Sequence, residues 1–271
     1  MNKKRIFAGI AAVATALTMC FALSACNSCG GRENISGDGS VKSEESWIKA
    51  FEDSVAATNY KFVQKTMSTG KIYDKSADYA RTSIVEVGYD GAGLKAYSKS
   101  EKSEQIGNVD PTLDSGISYF EVSDSTLINY QYNEDDGWYA AVDEYDTQDE
   151  AKENFEQYVS GLLGSIIRTK YNGTGDKQEV SGTLGELYSL FSYNSKTNVY
   201  SATLSAAADF EISIKISFKN GKIYKSVRNY VREGITTRIE DTITYGGVSI
   251  TIPQGAKDAL ESMSALIFVN L

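Results

Sequence analysis

The chain opens with a basic start and a long apolar run. Lys3, Lys4 and Arg5 precede an apolar segment that extends from Ile6 to Ala22. A positive start, an apolar core and small residues at its end are typical of an export signal. The run is shorter than the ~20 apolar residues needed to span a bilayer. We therefore predict a signal that is removed, rather than a transmembrane helix.

Helical spacing of apolar residues then marks two main segments. Trp47, Ile48, Phe51 and Val55 recur at intervals of three and four, which predicts an amphipathic helix over 44–58. A second helix is predicted over 147–168, where Thr147 and Glu150 fit a capping box. Its apolar face comprises Phe155, Tyr158, Val159, Leu162, Leu163, Ile166 and Ile167. A short helix after Thr183, with a similar capping box, and another after Gln254 complete the helical elements.

Between and after these helices the pattern favours strands. In the last third, Phe210, Ile212, Ile214, Ile216 and Phe218 alternate with polar residues, and Asn220-Gly221 then predicts a tight hairpin. The polar segment 98–114 is expected to be a mobile loop, and the Gly-rich 172–175 a loop that lacks the residues of a phosphate-binding motif. Strands are predicted near 59–69, 71–74, 79–88, 92–98, 116–123, 126–133, 137–143, 210–218, 223–232, 235–245 and 248–252.

Strands outnumber helices, and hairpin turns join them. This predicts an α+β fold with one large, antiparallel, twisted sheet and a few helices on one side.

A short motif ends the apolar run. Leu23-Ser24-Ala25-Cys26 resembles the lipobox of bacterial lipoproteins. The resemblance implies that cleavage falls between Ala25 and Cys26, and that the Cys26 sulfur carries a diacylglyceryl anchor. The predicted organisation is then a signal over 1–25, a flexible Gly-rich tether over 26–43 and one domain over 44–271. The anchor would hold the domain on a membrane, facing out of the cytoplasm.

Composition narrows the possible functions. Loss of residues 1–25 removes Lys3, Lys4 and Arg5 and changes the formal charge from -9 to -12, which argues against nucleic acid as a partner. The chain has no histidine, so the common zinc ligands and Ser-His-Asp catalysis are excluded. Cys20 leaves with the signal and Cys29 lies in the tether, so the domain has no disulfide. We expect no cofactor and no enzymatic activity.

Two further patterns leave alternatives open. The acidic stretch from Glu134 to Glu150 lacks the spacing of an EF-hand calcium loop and fits a hairpin tip followed by a helix start, so no metal site is predicted. A hydrolase based on paired carboxylates stays a third hypothesis. The 18 tyrosines fit either ordinary strand propensity or an aromatic face that holds an apolar or sugar ligand.

The order of elements resembles exported lipoproteins of the LolA, LolB and LppX type: a lipobox, a tether, an amphipathic helix, hairpins, a helical insert and a closing meander that ends at Pro253. The resemblance implies a half-barrel whose helices cover a cavity for acyl chains of a lipid or other amphiphile. The candidate lining residues are Phe155, Val159, Leu162, Ile166, Phe210, Ile212, Ile214 and Ile216. The alternative is an anchored interaction module that holds no small ligand.

Overall fold

The structure is a computed structural model that describes residues 35–72, 76–156, 171–173, 176–178, 184–207 and 210–269. The helices are α1 (Glu44–Val55), α2 (148–156), α3 (Leu184–Ser189) and α4 (Gln254–Val269). The strands are β1 (Asn59–Ile72), β2 (Ala77–Asp90), β3 (Lys95–Ile106), β4 (Thr112–Ser123), β5 (Thr126–Asn133), β6 (Gly137–Glu144), β7 (Tyr171–Gly173), β8 (Asp176–Gln178), β9 (Ser192–Asn194), β10 (Val199–Ala207), β11 (Phe210–Lys219), β12 (Lys222–Arg232) and β13 (Ile235–Tyr245).

The described strands form an 11-stranded antiparallel sheet in the order β6-β5-β4-β3-β2-β1-β13-β12-β11-β10-β9, with β7 and β8 as a separate pair. The chain moves outward from β1 to β6 through successive hairpins and later returns inward from β9 to β13. The last strand then pairs with the first, with Tyr60 opposite Tyr245. The predicted fold class is confirmed: an α+β protein built on one large, open, antiparallel sheet.

Helix α1 forms where the apolar spacing predicted it. Ser43 caps its first turn by accepting a hydrogen bond from the backbone N–H of Ser46 at 3.2 Å, and the Ser46 hydroxyl accepts from the N–H of Ser43 at 2.9 Å. These bonds satisfy donors that a helix start leaves unpaired. The helix buries Trp47 and Phe51 and ends at Val55, three residues before the predicted boundary.

The sheet has two differently covered faces, because side chains alternate along each strand. Tyr60 and Phe62 of β1 lie in one apolar cluster with Trp47 and Phe51 of α1, and we call this side the α1 face. The opposite side is the α4 face, where Ile128 and Tyr130 of β5 cluster with Ala256 and Leu260 of α4. The α4 helix therefore packs on the side of the sheet away from α1, so the prediction that the helices cover one side is wrong for α4.

Several sequence-based boundaries are wrong. The expected loop 98–114 is a hairpin, because β3 and β4 extend through it and pair from Lys95 with Glu121 to Glu104 with Thr112. Of the strand expected over 71–74, Lys71 and Ile72 are the end of β1, and 73–74 lie outside the described residues. Residues 248–252 form no strand, although Ile250 and Ile252 are buried against α4. Of the Gly-rich 172–175, Asn172 and Gly173 belong to β7, which pairs with β8, and 174–175 lie outside the described residues.

Residues 35–43, here called the strap, lie along the end of the sheet. The Gly37 N–H donates to the carbonyl of Thr197 at 2.9 Å, and the Asp38 N–H donates to that of Phe218 at 3.1 Å. The Asp38 carboxylate also accepts from the N–H of Asn220 at 2.7 Å. The strap thus binds the β9–β10 turn and the β11–β12 turn together.

Burial at the two ends of the strap shows that it passes from one face to the other. Ile35 packs with Val199 and Val227 on the α4 face, whereas Val41 joins the cluster of the α1 face. The predicted tether over 26–43 is therefore wrong over 35–43, which belongs to the folded body. Its remaining part, 26–34, lies outside the described residues.

Candidate functional site

The α1 face contains the predicted lining residues that the structure describes with their side chains. Phe155 of α2 and Ile212, Ile214 and Ile216 of β11 all belong to the apolar cluster of this face. Phe210 begins β11, but its side chain is outside the described part of the structure. Val159, Leu162 and Ile166, like Ala25 and Cys26, lie outside the described residues. The structure thus brings together four of the eight predicted lining residues.

Helix α2 places Phe155 against the sheet. The Thr147 hydroxyl accepts from the N–H of Glu150 at 3.2 Å, as the capping-box pattern predicted. The Glu150 carboxylate reaches back to the N–H of Asp146 at 3.2 Å, one residue before the cap. This start directs Phe155 inward, where it is fully buried and its ring lies 5.8 Å from that of Tyr89.

Aromatic side chains fill the space between α1 and the sheet. The Phe51 ring lies 5.9 Å from that of Phe218, and the Phe218 ring lies 5.7 Å from that of Tyr200. Burial raises the pKa of Tyr200, and likewise that of Tyr245, to about 12. These phenols are therefore neutral near pH 7 and contribute packing rather than acid–base chemistry.

Further along the strands the same face turns polar while it stays buried. Ten polar side chains on the described strands of this face are at most 9% exposed, and we call them the polar belt. They are Gln64, Ser68, Ser83, Ser118, Asn129, Gln131, Ser226, Arg228, Thr237 and Asp241. Their positions follow from strand register, since Gln64 lies opposite Asp241 and Asp241 lies opposite Ser226.

Asp241 is the centre of a hydrogen-bond network. One carboxylate oxygen accepts from Nε2 of Gln64 at 2.9 Å. The other accepts from the Ser226 hydroxyl at 2.5 Å and from Nη2 of Arg228 at 2.8 Å. A fully buried carboxylate is tolerated only with such partners, because its desolvation otherwise costs several kcal/mol.

Six other buried polar atoms on this face have no hydrogen-bond partner in the described part of the structure. Nε of Arg228, Nε of Arg81, Nε2 of Gln131 and Oδ1 of Asn129 lie in or beside the belt, and Nε1 of Trp47 and the hydroxyl oxygen of Tyr200 lie in the apolar cluster. Arg81 extends the belt on β2, since it lies directly opposite Ser68. An unpaired buried polar atom costs roughly 1–3 kcal/mol. The belt therefore offers unused hydrogen-bonding capacity, mostly donors, next to an apolar surface.

The sequence analysis missed this belt, although one signal for it was present. In β13, Asp241 stands between Ile239 and Ile243 in the period of two that marks a buried face. A carboxylate at such a position requires a buried partner. The partners themselves could not be read from the chain, because Gln64 is 177 positions away.

The described residues contain no group of three or more His, Cys, Asp or Glu side chains that could hold a metal ion. The acidic stretch from Glu134 to Glu150 covers the β5–β6 turn, part of β6 and the start of α2. An open groove along α1 is lined by Glu44, Glu45, Ile48, Lys49 and Glu52. Among the described helices, none is both long and apolar enough to cross a bilayer.

The chain was compared with protein families, curated proteins and solved structures. No protein-family profile matches it, and no curated protein is similar in sequence. Its fold is similar to that of LprF from Mycobacterium bovis, with a TM-score of 0.34 and 9% identity over 79% of this chain and 96% of LprF.

Proposed function

We propose that this protein is a membrane-anchored, extracytoplasmic lipoprotein that has no enzymatic activity and binds a lipid or other amphiphile on the α1 face. One observation carries the proposal: a single face of the sheet combines buried apolar side chains with buried polar atoms that lack partners. An amphiphile has the same two-part chemistry. Each CH₂ group of its chain that leaves water contributes about 0.8 kcal/mol.

The anchor is proposed to be Cys26, after cleavage between Ala25 and Cys26. Strap residue Ile35 is fixed to the sheet, so only the segment up to residue 34 separates the anchor from the folded body. An extended chain covers at most about 3.5 Å per residue. The domain is therefore held within about 30 Å of the bilayer, close to a source of lipids.

A second candidate is an anchored interaction module without a small ligand. Its support is the packing of Trp47 and Phe51 onto the sheet, because these side chains already occupy part of the α1 face. The two candidates make different predictions about what the protein carries when it is isolated from cells.

Native mass spectrometry separates the two functions. The mature chain, residues 26–271, is purified from cells with Cys26→Ser so that any bound lipid is not the anchor. A lipid-sized adduct that organic extraction removes supports the binding protein. A clean mass, together with no binding of added oleate or oleyl alcohol, would exclude it and leave the interaction module.

A further inference from the structure

The polar belt lies beside the apolar cluster on the same strands of the α1 face. On β13, Ile243 belongs to the cluster, whereas Asp241 and Thr237 belong to the belt. On β1, Phe62 belongs to the cluster and Gln64 to the belt. A ligand that extended along these strands would therefore meet apolar side chains first and polar ones next.

Donors predominate among the unpaired buried atoms in and beside the belt. Arg228, Arg81 and Gln131 each have a buried N–H group without a partner, against one acceptor on Asn129. Unpaired donors are satisfied by a ligand that brings oxygen acceptors. Two of the three belong to guanidinium groups, which bind carboxylate and phosphate most strongly.

The charges in and beside the belt favour an anion. Arg228 pairs with Asp241 at 2.8 Å, and Lys102 pairs with Glu104 at 2.7 Å. Arg81 adds a third cation to these two pairs. The carboxylate of Asp114, opposite Lys102 on β4, is exposed, where water screens it. Among the described residues of this part of the face, the three cations thus face two carboxylates that are shielded from water and one, Asp114, that is exposed.

We infer that the belt is a head-group site for an amphiphile with a carboxylate or phosphate head, held by Arg228, while its chain lies on the neighbouring apolar cluster. This rests on the proposed function and assigns the ligand class to it. Asp241 acts as a positioning residue, because it holds one side of the Arg228 guanidinium and leaves Nε to the ligand. Gln64 and Ser226 in turn fix the carboxylate.

The test compares ligands that share one chain and differ in the head. Oleate, oleyl phosphate and uncharged oleyl alcohol compete with the neutral dye Nile red for the mature chain with Cys26→Ser. We expect at least one of the two anions to bind about tenfold more tightly than the alcohol. Inorganic phosphate alone at millimolar concentration should not displace the dye.

Two variants locate the effect. Arg228→Met with Asp241→Asn removes the charged pair without leaving either charge alone, and it should abolish the preference for the anion while oleyl alcohol still binds. Arg238→Met is the matched control, because Arg238 is equally buried at 8% exposure but pairs with Glu240 on the α4 face. It should keep the preference. Thermal unfolding confirms that both variants are folded.

Each other outcome contradicts the inference in a recognisable way. Equal binding of the anions and the alcohol would refute the head-group site and leave amphiphile binding intact. Displacement by inorganic phosphate alone would show an anion site that needs no lipid chain. Failure of all three lipids to bind would refute the proposed function as well.

Discussion

The hydroxyl of Ser54 on α1 accepts a hydrogen bond from the backbone N–H of Ile223 on β12 at 2.9 Å. The pairing of β11 with β12 shifts register at this point, between Ser217 and Phe218 of β11. The hydrogen bonds between the strands therefore do not use the N–H of Ile223, which donates to the helix instead. The same hydroxyl donates to the carbonyl of Ala50 at 2.5 Å. One buried serine therefore links α1 to an irregularity in the sheet.

Replacing Ser54 with Ala should destabilise the protein by roughly 1–3 kcal/mol, because the buried N–H of Ile223 loses its acceptor. Urea unfolding followed by circular dichroism measures the change. Val55→Ala, on the exposed side of the same helix end, is the control and should cost well under about 1 kcal/mol. Equal effects of the two substitutions would show that the bond to Ile223 contributes nothing specific.

Substitutions of Asp241 and Arg228 should have strongly non-additive effects on the free energy of unfolding. Asp241→Leu alone leaves a buried guanidinium without its carboxylate, and we expect a loss of about 3–5 kcal/mol. Arg228→Met alone leaves the carboxylate and should cost a similar amount. The double variant should lose much less stability than the sum of the two single losses, since it leaves no unpaired charge.

A double-mutant cycle by urea unfolding measures this coupling. If the two single effects simply added, the pair would act independently, and the network around Asp241 would have no role in stability.

Stability below neutral pH should depend on Glu240. Partial burial would raise the pKa of this carboxyl, but hydrogen bonds and charge from Lys225 and Arg238 outweigh it and lower the pKa below its ordinary value of 4.5. The folded state thus binds this proton less readily than the unfolded state. Its contribution is present above about pH 4.5 and is lost as the pH falls through the lowered folded pKa.

Glu240→Gln should therefore flatten the loss of stability between neutral pH and about pH 3, relative to the parent chain. Urea unfolding at a series of pH values gives the two slopes. Glu233→Gln, at an exposed turn, is the control. Parallel curves for Glu240→Gln and the parent chain would mean that Glu240 titrates alike in both states.

The proposed anchor makes a separate prediction. Cys26→Ser in the full chain should abolish metabolic labelling with a radioactive or alkyne-tagged fatty acid, because the acceptor sulfur is absent. Cys29→Ser should leave labelling unchanged. Labelling that persists in Cys26→Ser and is lost in Cys29→Ser would move the anchor to the second cysteine.

The elements predicted most accurately are those whose residues are neighbours in the chain. The stripe of Trp47 and Phe51 predicted α1, and the alternation from Phe210 to Phe218 predicted β11. The segment 98–114 was misjudged because its polar side chains suggested a loop. There the hairpin is held by backbone pairing between β3 and β4, which composition does not reveal.

The sequence predicted only the part of the candidate site whose residues are close together in the chain. Ile212, Ile214 and Ile216 were recognised as one buried face from their spacing alone. The polar belt was not, because its members are polar residues scattered from Gln64 to Asp241 whose burial depends on distant elements. Likewise, the sequence around Asp38 and Ser40 predicted a flexible tether. Their hydrogen bonds to the β11–β12 turn, which is distant in the chain, hold them on the folded body instead.

The export signal and the lipobox at Cys26 stay predictions. By itself, the sequence determined the amphipathic helix α1, the hairpin turns and hence the antiparallel α+β class. These depend on interactions between residues close in the chain. The tertiary structure alone decided that β13 pairs with β1, which brings Gln64 to Asp241 across 177 positions. The physical reason is that a buried charge is stable only where distant partners meet it, and strand register sets which partners those are.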